Sequence, residues 1–310
     1  MLTRLPDHGR YGYSPINKRA AYDWPGGKRL AFHFATNIEI FAFGTGLGHA
    51  PAAVTPPPDH RGHAWRDYGL RVGAWNVFDM LDELALPANH LVNSLMYNYA
   101  PEIMDRIRLR GDEIIGHGRT NAERQGVLWE EEEADLIRQV TDTFVRHEGK
   151  APRAWMSPWM SHSATTPDLL NEAGYDILMD WPADDQPFWM ETRSGRMLSV
   201  PYPIEINDVP QMLNRQLTAV EFGQMIRDQF DMMIELSDKR PLVMGVSTHM
   251  MVVGQPYRLK PLREALHYIK NHPKADKVWF TRPSDIADHI KALPEGVVPF
   301  IPASHGWKGR

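Results

Sequence analysis

The 310-residue chain contains no cysteine. That absence excludes disulfides, thiolate nucleophiles and cysteine-ligated zinc, and leaves His, carboxylate and amide oxygen as ligands for any metal. An excess of positive charge is also missing. Lys and Arg number 34 against 39 Asp and Glu, for a net charge of -5, so there is no basic field for a polyanion and nucleic acid is not an expected partner. No stretch approaches the roughly 18 apolar residues of a membrane span, and the opening MLTRLPDHGRYGYSPINKR has no apolar run of the kind a signal peptide needs. The expected location is the cytoplasm, with no membrane partner. What remains, 43% hydrophobic and 24% charged residues, is ordinary globular composition, long enough for one large core or two modest ones.

The order of apolar runs and turn signals reads as β then α throughout. Strands are predicted at Leu30 to Thr36, His90 to Val92, Glu113 to Gly116, Ala154 to Met156, Asp176 to Met179, Met197 to Val200, Leu242 to Val246 and Val278 to Phe280. Helical spacing is found at Arg71 to Leu84, Pro101 to Leu109, Glu130 to His147, Thr166 to Ala173, Thr218 to Glu235, Leu259 to Lys270 and Ser284 to Ile290. The Gly- and Pro-rich segment Phe43 to Pro58 has no helical period and is long for a connection within a compact domain, which marks it as functional or mobile. Strands separated by helix-length segments imply right-handed crossovers and a parallel sheet. The predicted fold is therefore α/β, a single-domain distorted barrel of about seven to eight parallel strands over residues 30–293. An N-terminal extension (1–29) packs on it and a tail (294–310) follows.

The ends of these strands carry the polar residues: Asn37 and Glu39, Asn93, His117, Pro158 and Trp159, Asp180 and Trp181, Glu205 with Asn207 and Asp208, and His249. In a β/α barrel those ends converge on the face where catalytic groups sit. Each has a plainer reading, since a lone acid at a strand end is commonly a cap or a surface charge and a buried aromatic is commonly core. The set together is harder to read so. His60, His63, His147, His267, His272 and His289 fall in loops or on helix faces and are read as solvated, and the run Glu130 to Glu133 as serving a helix dipole.

Six segments in this order, NIEIF (37–41), GHGRTN (116–121), RAWMSPW (153–159), GYDILMDWPADDQPFW (174–189), VPYPIEIND (200–208) and THMMVVGQPYRL (248–259), resemble the polysaccharide deacetylase superfamily (carbohydrate esterase family four, NodB-like). The resemblance is greatest to its divergent branch of metal-independent allantoinases and cyclic-imide hydrolases, and it runs over roughly Tyr11 to Leu293. It implies a deacetylase-like barrel, a hydrolase of non-peptide carbon-nitrogen bonds, and a homo-oligomer, dimer or tetramer. In metal-dependent members two acids follow the first strand and an H-x-x-x-H motif adds two ligands. Here His117 keeps the first position but Asn121 stands at the second. Asn37 and Glu39 leave two alignments open: Glu39 as the base with a ligand acid lost, or Glu39 as the surviving ligand with an amide at the base position.

The three-ligand set is thus not intact, and no cofactor is expected; a divalent metal such as zinc is the runner-up, with Glu39, His117 and Asn121 as the site if one is held. The reaction read from these residues is hydrolysis of a small amide, cyclic imide or ureide. Glu39 accepts a proton from water, His117 orients the water or polarises the carbonyl, and His249 donates to the leaving nitrogen or stabilises the oxyanion. Trp159, Trp181 and Tyr202 are assigned as apolar walls, and Asn37, Arg119, Asn121, Glu205, Asn207 and Asp208 as polar contacts to substrate. Two rival readings stand beside this one: a metal-dependent polysaccharide or peptidoglycan N-deacetylase, and a barrel that binds a ligand without catalysis.

Overall fold

A computed structural model describes residues 7–50 and 57–302. Parts of the predicted extension (1–6), of the Gly- and Pro-rich loop (51–56) and of the tail (303–310) lie outside the described residues. The elements follow in the order β1 (Leu30–Ile38), α1 (His60–Tyr68), a π-helical turn (Gly69–Gly73), α2 (Ala74–Glu83), β2 (Ala88–Val92), α3 (Met96–Tyr99), α4 (Pro101–Arg110), β3 (Glu113–Gly116) and α5 (Glu130–Glu148). They continue with β4 (Ala154–Trp155), α6 (Thr166–Glu172), β5 (Ile177–Leu178), β6 (Phe188–Thr192), β7 (Gly195–Ser199), α7 (Ala219–Leu236), β8 (Leu242–His249), α8 (Met250–Val253), α9 (Pro256–Lys270), β9 (Val278–Phe280) and α10 (Pro283–Ala292). No helix among the described residues is long and apolar enough to cross a membrane.

The strands form one sheet in the order β6-β7-β5-β4-β3-β2-β1-β8, with β9 added to the first residues of β1. All neighbours run parallel except the β6–β7 pair. The sheet curls into a distorted barrel that hydrogen bonds do not close. Along the outer edge of β8, extended chain stands in for a closing strand: Val243 N–H donates to Asp185 O at 2.8 Å, Ser247 N–H to Ile206 O at 3.0 Å, and Asn207 bridges Ser247 in parallel fashion. This arrangement matters later, because residues 206–208 are thereby laid beside the end of β8.

Side chains alternate across a strand, and the alternation separates two cores. Leu30, Phe32 and Phe34 of β1 and Leu242, Met244 and Val246 of β8 face the helical layer. Ala31, Ala35, Leu91, Ile115, Ala154, Met156, Ile177, Leu198 and Val243 pack inside the barrel. Continuing the inward parity to the strand ends brings Asn37 and Glu39 from β1, Asn93 from β2, His117 from β3 and His249 from β8 to one place. The register agrees, since Asn37 lies opposite His249.

Three expectations require correction. β1 runs on to Ile38, so Asn37 is part of the strand and not beyond it. The helix expected from Arg71 begins at His60, where Asp59 caps it by accepting from Gly62 N–H. Its first nine residues, HRGHAWRDY, are mostly polar and carry no apolar period. Met197–Val200 is the second arm of a hairpin whose first arm, β6, lacked a signal because FWMET reads as neither alternating nor bounded.

The π-helical turn packs on the segment that follows His249. A Cβ built on Gly73 would come within 2.2 Å of Met250 O, a backbone atom. Gly73 has helical dihedrals, so alanine there gains about 1 kcal/mol of helix propensity. Overpacking against main chain typically costs about 1–3 kcal/mol, and the carbonyl cannot rotate aside as a side chain would. Gly73→Ala is therefore expected to lower the urea midpoint, by a net of up to ~2 kcal/mol. A midpoint at or above the parent's would show that α8 yields without cost.

Candidate active site

The carboxylate of Glu39 is the centre of the site, and its side chain is only 3% exposed. Glu39 Oε1 accepts a hydrogen bond from Asn121 Nδ2 at 2.6 Å. His117 Nε2 lies 3.5 Å and His249 Nε2 3.6 Å from the same oxygen. Among the described residues Glu39 Oε2 and His117 Nε2 are buried and have no hydrogen-bond partner. Burial alone would raise the pKa of Glu39, but the charge of His249 opposes this, and the pKa lies below the usual carboxylate value.

The two imidazoles are fixed from behind in different ways. His117 Nδ1 donates to the carbonyl of Met156 at 2.6 Å. A carbonyl only accepts, so Nε2 of the neutral ring is a lone pair pointed at Glu39. His249 Nδ1 donates to Asp208 Oδ1 at 2.7 Å, while the backbone N–H of His249 donates to Asp208 Oδ2 at 2.8 Å. Burial opposes protonation of His249, yet Glu39 and Asp208 together raise its pKa above the ordinary histidine value. The site therefore sets a depressed carboxylic acid against an elevated imidazole.

The orientation of Asn121 follows from the backbone. Asn93 Oδ1 accepts from Ile40 N–H at 2.8 Å, and Asn93 Nδ2 donates to His117 O. Both partners are main-chain groups of fixed polarity, so the Asn93 amide cannot be turned over. Its Nδ2 then donates to Asn121 Oδ1 at 2.9 Å, which leaves Asn121 Nδ2 to face Glu39. The runner-up ligand set of Glu39, His117 and Asn121 does not fit a metal ion: Asn121 presents N–H donors to the centre, and its oxygen is already engaged. Among the described residues no group of three or more His, Asp or Glu side chains is disposed to hold one.

The other predicted site residues divide. Asn37 is buried, its Nδ2 directed at Tyr202 OH, Ser247 Oγ and Thr248 O, and its Oδ1 is left without a partner. Tyr202 is buried behind it against Ser247. Trp159 donates from Nε1 to Asn121 O at 2.9 Å, and its left-handed backbone (φ 64°), followed by Met160 (φ 51°), is the kind of strain that collects at functional sites. Trp181 packs against Tyr11 and His162, with its Nε1 unpartnered. Asp180 accepts from the N–H and hydroxyl of Ser157, and burial raises its pKa.

Four residues assigned to substrate contact are engaged by other groups of the chain. Arg119 turns outward to Glu123 (2.9 Å), Glu205 is exposed and paired with Arg215 (2.7 Å), and Asn207 caps the turn at Val209 N–H. Asp208 is fully occupied by His249. Helical and loop geometry, invisible in a list of strand ends, decides each case.

One residue of the site escaped the sequence reading altogether. His49 is half-buried on the loop after β1, with its ring 4.5 Å from that of Trp159 and 5.9 Å from that of His249. Burial pushes its pKa down to about 4 despite the opposing pull of Glu39. Its only signal was its place in the Gly-rich run. A cavity of ≈ 500 Å³ lies beside Tyr11 and Asp184, and one of ≈ 140 Å³ is lined by the loop after β1 and Arg66, with neither Glu39 nor His117 nor His249 in its wall.

No family model and no curated protein matches the chain. Solved structures do. A structure described as "Puue Allantoinase" superposes with a TM-score of 0.79 at 23% identity, covering 94% of this chain and 98% of its own. A "probable Polysaccharide deacetylase from Pseudomonas aeruginosa PAO1" superposes with a TM-score of 0.76 at 24% identity, covering 89% and 94%. The chain has the polysaccharide deacetylase fold. The likeness extends over nearly its whole length, as the six segments implied.

The ion pair of His249 gives a direct check. In Asp208→Asn an amide offers one acceptor oxygen for two N–H donors and no charge, so the pKa of His249 is expected to fall. Titration of the imidazole resonances by NMR reads this, and an unmoved pKa would mean that Asp208 does not act on the ring.

Proposed function

We propose that the chain is a hydrolase that opens a non-peptide carbon-nitrogen bond in a small cyclic imide or ureide without a bound metal. One observation carries the reading. His117 Nε2 stands 3.5 Å from Glu39 Oε1, and among the described residues neither that nitrogen nor the second carboxylate oxygen, Oε2, has a partner. Two acceptors so placed call for a molecule with two O–H groups between them, and water supplies both.

Such a water is held with one hydrogen toward Glu39 and the other toward His117, which leaves its oxygen lone pair for a carbonyl carbon. As the oxygen-carbon bond forms, the proton passes to Glu39. The carbon-nitrogen bond then breaks and the leaving nitrogen takes a proton from His249, which Asp208 keeps oriented and charged, as a carboxylate does for a catalytic imidazole elsewhere. Glu39 passes its proton on to His249, whose Nε2 lies 3.6 Å from Oε1, and both groups regain their starting states. An imide or ureide carbonyl is more electrophilic than an acetamide, so donors alone suffice to stabilise its oxyanion. The two fold relatives described as an allantoinase and a probable polysaccharide deacetylase support hydrolysis of carbon-nitrogen bonds. The donor-facing Asn121 favours the metal-free form of it.

Turnover should be assayed on a panel of cyclic imides, allantoin and N-acetylated sugars, with and without chelator, on protein of measured metal content. Ring opening insensitive to chelator is expected. Chelator-sensitive deacetylation with stoichiometric zinc would overturn the reading. Glu39→Gln is expected to lower kcat by roughly 10²–10⁴ with an unchanged circular dichroism spectrum. The kcat/KM profile should rise with pH through the depressed pKa of Glu39, which must be ionised, and fall through the elevated pKa of His249, which must be protonated. A profile flat across both limbs would remove one of these two roles.

A further inference from the structure

The loop after β1 reaches back over the site and is fastened on both sides. Leu47 N–H donates to Ala122 O at 2.9 Å, next to Asn121, and Arg66 of α1 donates to His49 O at 2.7 Å while lying 5.2 Å over the ring of Phe41. Between these anchors the imidazole of His49 leans on Trp159 and meets the ring of His249 nearly edge-on, at 77°. Among the described residues neither nitrogen of His49 has a hydrogen-bond partner. A ring so placed, with both nitrogens unused by the described residues, can offer a ligand one donor and one acceptor.

We propose that His49 contacts the substrate directly: anchored over the Glu39 and His249 centre by Arg66 and Ala122, its free ring edge hydrogen-bonds the substrate's second polar group, the one not being hydrolysed. This rests on the hydrolase reading above and adds a specificity-determining residue to it. The role suits a ring that stays neutral near pH 7, because a neutral imidazole brings a donor and an acceptor without adding a second cation beside His249. The loop is tied through main-chain groups, Leu47 N–H and the carbonyl of His49 itself, which positions the ring without occupying its nitrogens. A compound with two polar groups across a ring satisfies both His249 and His49, whereas a compound with a single amide leaves His49 unpaired.

The test compares His49→Phe, which keeps an aromatic ring against Trp159 but cannot hydrogen-bond, with His49→Gln, which can hydrogen-bond but does not stack. Both are assayed on whichever compound of the panel the parent enzyme turns over. A neutral hydrogen bond is worth about 0.5–1.5 kcal/mol, so His49→Phe is expected to lose roughly 3- to 10-fold in kcat/KM, mostly through KM. His49→Gln is expected to retain most of the parent value, and imidazole added to His49→Gly to restore part of it. A parental KM in His49→Phe, or equal losses in the Phe and Gln variants with no rescue by imidazole, would overturn the assignment and leave His49 as packing. Failure of ring opening in the parent would instead overturn the proposed function; His49 is then judged on the N-acetylated compound.

Discussion

A carboxylate that is 97% buried must be surrounded by partners, because an isolated charge in the interior is too costly to persist. Much of the architecture around Glu39 answers that demand. Asn121 donates to it, His249 opposes it with a raised pKa, and His117 faces it through a site for a bridging donor. Each partner is held by something more rigid than itself: Asn121 by Asn93, His117 by the Met156 carbonyl, His249 by Asp208. Asn93 is in turn clamped by two main-chain groups, one on either side of the centre. The polarity of the whole cluster thus traces back to backbone groups that cannot reverse.

The open seam of the barrel is part of the same design. A closed ladder beyond β8 would place a regular strand where residues 206–208 now run, and a strand offers side chains only in alternation. The irregular segment bridges at Asn207 and then turns into a π-helical stretch, Val209–Asn214, so that Asp208 reaches both the ring and the backbone of His249. Loss of sheet hydrogen bonds at one seam is offset by a charged hydrogen-bonded pair at the centre.

Much of the site was legible because strand parity is simple. Asn37, Glu39, His117 and His249 follow predicted strands at positions whose inward parity the apolar residues already declare, and their convergence needs only a curled parallel sheet. Elsewhere the signal was weak or belonged to another element. The polar helix α1 has no apolar period, and the hairpin arm β6 has neither clean alternation nor a strong turn before it. Arg119 and Glu205 stand near strand ends in the sequence, yet Arg119 finds an opposite charge four residues on, at Glu123, and Glu205 one ten residues on, at Arg215. A local ion pair is enough to turn a long side chain away from the centre. His49 was passed over because position in a loop carries no parity at all.

The sequence by itself determined the barrel class, every described strand but β6, and the inward parity of the residues at the strand ends, since these depend on local propensity and apolar alternation. It also placed an amide, Asn121, four residues after His117. Tertiary structure alone decided the hydrogen-bonding sense of that amide, the seating of Asp208 behind His249, the outward turn of Arg119 and Glu205, and the return of His49 over the centre. Those outcomes depend on which distant groups meet and in what polarity, and no periodicity along a chain encodes the direction of a hydrogen bond made across it.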